Sequence, residues 1–129
     1  MGSSLYSAHL AARLGRPYAF AGHFAPREMM QALDIYRAEF RPSRHLAGPY
    51  VMIGVPAAAA DTDARADRLA TTMFQTFLSL IRGVPRLAAP PVDSMDGLWT
   101  PAEEAAVRSM LALLVVGGPQ RAQAGLQDL

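Results

Sequence analysis

The sequence predicts an α/β protein built on a parallel sheet, and three observations carry that reading. Amphipathic helical stretches alternate with short apolar runs, the pattern of βα units rather than of a helical bundle. The runs Tyr18–Phe24 and Tyr50–Val55 are mostly apolar instead of alternating, as expected of strands buried on both faces. Only these two strands stand among five helical stretches, too few for a self-sufficient sheet, so the 129 residues read as a piece of a larger fold.

The elements follow in order. Gly2-Ser3-Ser4 runs into a helix over Leu5–Leu14. A small glycine, two hydroxyls and the free N–H groups of a helix N-terminus are together suited to an anion such as phosphate. The same triplet also serves as plain N-capping chemistry, or, after Met1, as the remnant of an expression tag. Gly15 fits the helix stop and Pro17 prevents resumption before the first strand. Pro26 suits the first position of a second helix, in which Met29, Leu33, Tyr36 and Phe40 form a core-facing stripe.

Arg41-Pro42-Ser43-Arg44-His45 reads as a solvated turn, although its basic residues also admit a phosphate. After the second strand, Ala57–Ala60 are small enough to lead into a loop near a ligand. Asp61 or Thr62 caps the longest helix, which reaches about Arg82 and stops at Gly83. Ala66, Leu69, Ala70, Met73, Phe77, Leu80 and Ile81 are its expected core face. Val84–Trp99 is proline-rich and aperiodic, an ordered excursion. Thr100, Pro101 and Glu103-Glu104 mark a further helix start, with Val107, Met110, Leu111 and Leu114 expected inside. Gly117-Gly118-Pro119 breaks that pattern and begins a last helix toward Leu126.

Composition narrows the function classes. A net charge of +1 gives no electrostatic case for nucleic acid or an anionic membrane. The absence of cysteine excludes disulfides, thiolate catalysis and cysteine-bound metals, and is compatible with a cytoplasmic protein. No apolar run approaches the roughly 20 residues of a membrane span. His9, His23 and His45 lack metal-ligand spacing, and Gly2-Ser3-Ser4-Leu5-Tyr6 fails the nucleophile elbow because Tyr6 stands in place of the final glycine. His23 lies at the predicted C-terminal end of a strand, where it either serves a site or is satisfied by backbone. His9 reads as packed or solvated and His45 as surface. Asp93, Asp96 and Glu103-Glu104 read as loop solvation and helix-dipole complementation, and Trp99 as a packing anchor or a cap on a substrate cavity.

The succession Gly2-Ser3-Ser4, Tyr18–Pro26, Arg41-Pro42-Ser43, Pro49–Val55, Ala60-Asp61-Thr62-Asp63-Ala64, Pro91–Asp96 with Leu98-Trp99, and Val116–Pro119 resembles the luciferase-like, flavin-dependent monooxygenase family. The likeness covers nearly the whole chain, with Gly22 standing where that family often has serine. It implies a (β/α)8 TIM barrel, typically about 250 residues. The chain is then a C-terminal portion, a single partial domain over residues 1–129 that starts at a strand–loop junction and stops before the last strand.

The resemblance further implies reduced FMN and dioxygen acting on a small organic substrate, the cofactor carrying the chemistry. Gly2, Ser3 and Ser4 would hold the FMN phosphate, with Tyr6 beside them and His23 as the catalytic candidate. A flavin reductase supplying reduced FMN is an implied partner. The open edges of an incomplete barrel predict a homo-oligomer. Two rival readings remain: a catalytically inert α/β fragment or interaction protein, and a deazaflavin-dependent oxidoreductase of the same fold that transfers hydride.

Overall fold

The computed structural model describes residues 1–23 and 25–129, so Phe24, the expected end of the first strand, lies outside the described residues. The chain divides into two compact units, Met1–Val55 and Pro56–Leu129.

In the first unit, helix α1 (Leu5–Arg13) leads to strand β1 (Tyr18–Ala21), and a 3-10 turn at Pro26–Glu28 leads to helix α2 (Met29–Glu39) and strand β2 (Val51–Gly54). Pro26 therefore begins a tight turn, and the α-helix proper starts at Met29. β1 and β2 pair in parallel, with Tyr18 opposite Val51 and Ala21 opposite Gly54. Gly2 adds a third parallel segment through a bridge to Phe20: its N–H donates to the Ala19 carbonyl (2.9 Å), and its carbonyl accepts from Ala21 (2.8 Å).

α1 ends as the sequence predicts. Gly15 takes φ +57°, and the Gly15 and Arg16 N–H groups donate to the Ala12 and Ala11 carbonyls, closing the helix with a left-handed residue. A side chain at Gly15 would also strike the Arg41 carbonyl and Ser43, so both conformation and space require glycine.

α1 and α2 pack on each other and on β1. Ala8, Ala12 and Ala32 are fully buried, small enough to let helices approach closely, and Tyr18, Phe20, Met29, Leu33 and Tyr36 fill the remaining core. The stripe expected on α2 is thus buried through Tyr36, and Phe40 stacks edge-on against Tyr36 with ring centroids 5.6 Å apart. Tyr36 also satisfies its phenol internally. It donates to the Arg16 carbonyl (2.9 Å) and accepts from the Tyr50 N–H (3.1 Å), tying both strand entrances to one helix.

The second unit contains strand β3 (Ala57–Ala59), helix α3 (Asp63–Ile81), helix α4 (Pro101–Met110), strand β4 (Val115–Gly117) and helix α5 (Pro119–Gln127). β3 and β4 pair in parallel, Ala57 with Val115 through Ala59 with Gly117. The described residues therefore hold four strands where the sequence suggested two. Ala57–Ala59 reads as loop because alanine is a poor strand former. Val115–Gly117 is short and follows an apolar helix stripe without a break.

That stripe ends early. α4 stops at Met110, so Leu114 lies in the following turn, while Val107 and Leu111 are buried. Leu78, Met95, Val107 and Leu111 form the core, with Phe74, Phe77 and Trp99 packed against it. On α3, Leu69, Leu80 and Ile81 remain exposed, contrary to the expected core face, whereas Thr71 is buried. The narrow two-stranded sheet covers only part of that helix. A second side is covered by the proline-rich segment, held by hydroxyls and an amide: Thr71 Oγ1 accepts from Val92 N–H (2.9 Å), Thr72 Oγ1 donates to Ala89 O (2.9 Å), and Gln75 Nε2 donates to Pro90 O (3.0 Å). Pro90 and Pro91 lack N–H groups, so side chains on α3 take the place of a strand partner.

Candidate functional site

Because Gly2, β1 and β2 run in parallel, their C-terminal ends share one edge, the edge at which sites of βα folds assemble. Ser3-Ser4 leave the first segment there, Gly22-His23 leave β1, and Gly54 ends β2.

Ser4 is the N-cap of α1. Its Oγ accepts from Ser7 N–H (3.3 Å), while Ser7 Oγ accepts from Ser4 N–H (3.4 Å) and donates to Ser4 O (2.6 Å). This reciprocal cap uses hydroxyls only, and the first turn of α1 contains no acidic residue. The positive end of the helix dipole is consequently not neutralised from within. Ser3 stands outside the cap, and Ser4 spends only its lone pair on it. Ser7 is further fixed by a 3.0 Å hydrogen bond shared with the Tyr18 phenol. A Cβ at Gly2 would overlap the Ser7 side chain, so glycine lets the chain enter the turn with Ser7 in place. Tyr6, at the second helical position, is 74% exposed.

His23 is half-buried in the turn after β1. A Cβ built on Gly54 would lie 3.8 Å from its Nδ1 and 3.9 Å from its Cε1, which puts the imidazole beside the end of β2. The first unit therefore brings Gly2, Ser3, Ser4, Tyr6 and His23 to one edge. Gly54 is a site neighbour that sequence reasoning missed, since nothing local marks a residue 31 positions from His23.

The remaining candidates fall elsewhere. His9 Nδ1 lies 2.8 Å from Glu39 Oε2, a bond that holds the Glu39 carboxyl below its ordinary range. His45 is exposed and accepts from Arg44 Nε (3.0 Å). Asp93 pairs with Arg68, and Glu104 with Arg108. Glu103 completes the capping box of Thr100 and takes Arg82 in a two-point pair. The Arg82 hydrogen bonds, then the Thr100 N–H, lower its pKa to about 2. Trp99 stacks on Phe74 at 5.7 Å. No group of metal-ligating side chains occurs among the described residues, and no helix there is long and apolar enough to cross a membrane.

The motif Asp61-Thr62-Asp63 has a local explanation in the second unit. Thr62 is the N-cap of α3, accepting from Arg65 N–H (3.3 Å), and Asp61 pairs with Arg65. Asp63 Oδ1 accepts from the Gly118 N–H at 2.6 Å, across 55 positions, where α5 begins without a side-chain cap of its own. One helical turn on, Asp67 takes both contacts of Arg121 Nη1 (3.0 and 3.2 Å). Gly117 must lack a Cβ because Arg121 occupies that space.

The sequence profile of luciferase-like monooxygenases matches residues 2–129. The chain is 48% identical over 128 residues to the uncharacterized protein YvbT of Bacillus subtilis (strain 168), covering 99% of this chain and 38% of that protein. It is 45% identical over 129 residues to a luciferase-like monooxygenase of Escherichia coli (strain K12), covering 100% and 38%. The crystal structure of apo-MsnO8 superposes with a TM-score of 0.74 at 32% identity, over 98% of this chain and 39% of that one. The chain thus spans 38% of the length of these curated relatives. Its fold is α/β, part of a (β/α)8 barrel with few parallel strands. The chain belongs to the luciferase-like monooxygenase family.

Proposed function

We propose that this chain supplies the phosphate-gripping, histidine-bearing edge of a reduced-FMN site in a flavin-dependent monooxygenase acting on a small organic substrate. The observation that supports this most is the shared edge of three parallel segments, with Ser3-Ser4 at one strand end and His23 at the next. The donor set suits a phosphate dianion. Ser3 and Ser4 each offer a hydroxyl proton, and Leu5 and Tyr6 offer first-turn N–H groups at an acid-free helix N-terminus.

When bound, reduced flavin would supply the electrons that activate dioxygen. The residues here would do the rest: Gly2, Ser3 and Ser4 bind and orient the phosphate, and Tyr6 flanks it. His23 holds a hydrogen bond or a proton at an imidazole nitrogen beside Gly54. A flavin reductase is the partner this reading requires. Self-association is favoured by Leu10 and Leu14, exposed four residues apart at the C-terminal end of α1 and its cap.

The test is a titration of the chain with FMN and with riboflavin, followed by flavin fluorescence. FMN is expected to bind at least about tenfold tighter, worth about 1.4 kcal/mol for the phosphate, with Ser3→Ala reducing that preference. Equal binding of the two, or none, overturns the reading.

A further inference from the structure

The second unit carries a cavity of about 330 Å3 at the end of α3 remote from Asp63. It arises from the way the helix stops. Gly83 takes φ +69°, and the Gly83 and Val84 N–H groups donate to the Leu80 and Ser79 carbonyls, 3.0 Å each. These paired bonds fold the chain back beside the turns it has just left. The Thr72–Ala89 bond fixes the far end of the returning segment. Leu98 lines the cavity as well, its carbonyl accepting from Arg82 Nη2 at 2.9 Å.

The lining divides into two chemistries. Leu78 is a buried core residue, whereas Val84 and Leu98 leave apolar surface open to the cavity. On the polar side, the Arg82 guanidinium is committed to the Glu103 carboxylate (2.7 and 3.0 Å) and to Leu98 O. Arg82 and Glu103 therefore cancel. Arg86, exposed and also lining the cavity, forms no ion pair with the described residues. One uncompensated guanidinium beside an apolar wall complements a small amphiphilic anion. The volume lies at the lower end of small-molecule sites.

We propose that this cavity binds a medium-chain carboxylate, its head on Arg86 and its chain along Leu78, Val84 and Leu98. The lining residues belong to neither the Ser3-Ser4 turn nor the His23 turn, so the proposal stands independently of the flavin reading.

The experiment titrates the isotope-labelled chain with octanoate and, in parallel, with 1-octanol, which has the same chain length and no charge. Octanoate is expected to shift the resonances of Val84, Arg86 and Leu98 saturably and to bind about fivefold tighter than octanol, the gain of one exposed charge pair. Arg86→Gln should remove that advantage and keep octanol binding. Resonances unmoved by either ligand, or an octanoate advantage that persists in Arg86→Gln, would overturn the proposal.

Discussion

The two units use the same βα grammar and treat their strand ends in opposite ways. In the first, the helix that follows the Gly2 segment is capped by the neutral hydroxyls of Ser4 and Ser7, with no acid in its first turn. In the second, the turn between β4 and α5 already holds an anion, the Asp63 carboxylate on Gly118 N–H, and Asp67 secures the adjacent Arg121. A helix N-terminus attracts negative charge whether it comes from a ligand or from the chain itself. The difference teaches how each end is balanced: α1 carries no anion in its first turn, and α5 is satisfied internally.

Several substitutions bear on this comparison. The largest effect should come from Phe20→Ala, which empties the fully buried centre of the first unit and costs about 3–5 kcal/mol in a urea titration. Asp63→Ala removes a charge-assisted bond at an exposed residue. A loss of about 1–2 kcal/mol is expected, with faster hydrogen exchange at the Gly118 amide, while Asp63→Asn retains an acceptor and should lose less. Ser4→Ala deletes the neutral cap of α1, for about 1 kcal/mol, and should also weaken FMN more than riboflavin.

The smallest effect is electrostatic. The folded-state pKa of Glu103 is lowered to about 2, chiefly by Arg82. Its stabilisation is therefore full above the ordinary glutamate value of about 4.3 and is lost as pH falls toward 2. The melting temperature of wild type should drop more between pH 5 and pH 2 than that of Glu103→Gln. Parallel profiles would mean that the Arg82 pair contributes nothing measurable.

Legibility in the sequence followed the range of the interaction. Helix ends were readable because Gly15 and Gly83 stop them locally, and Thr100-Pro101 with Glu103 starts one locally. The capped turn Gly2-Ser3-Ser4 was readable for the same reason, being three contiguous residues and a helix start. β3 was hidden because Ala57–Ala59 is a strand by virtue of its partner β4, not by its own preference. The exposed leucines of α3 show a second limit: apolar periodicity states what could be buried, and the neighbour that Thr71, Thr72 and Gln75 recruit decides what is. In the first unit the approach of His23 to Gly54, and in the second that of Asp63 to Gly118, joins distant positions whose local sequence signals neither contact.

The central claim is that an anion is received at the N-terminus of α1 and not at that of α5. The most direct measurement follows backbone amide resonances while FMN and then riboflavin are added to the labelled chain. The account predicts that FMN, and not riboflavin, shifts Leu5 and Tyr6 and leaves Gly118 and Arg121 in place. Shifts centred on Gly118 and Arg121, or identical responses at Leu5 and Tyr6 to both compounds, would contradict it.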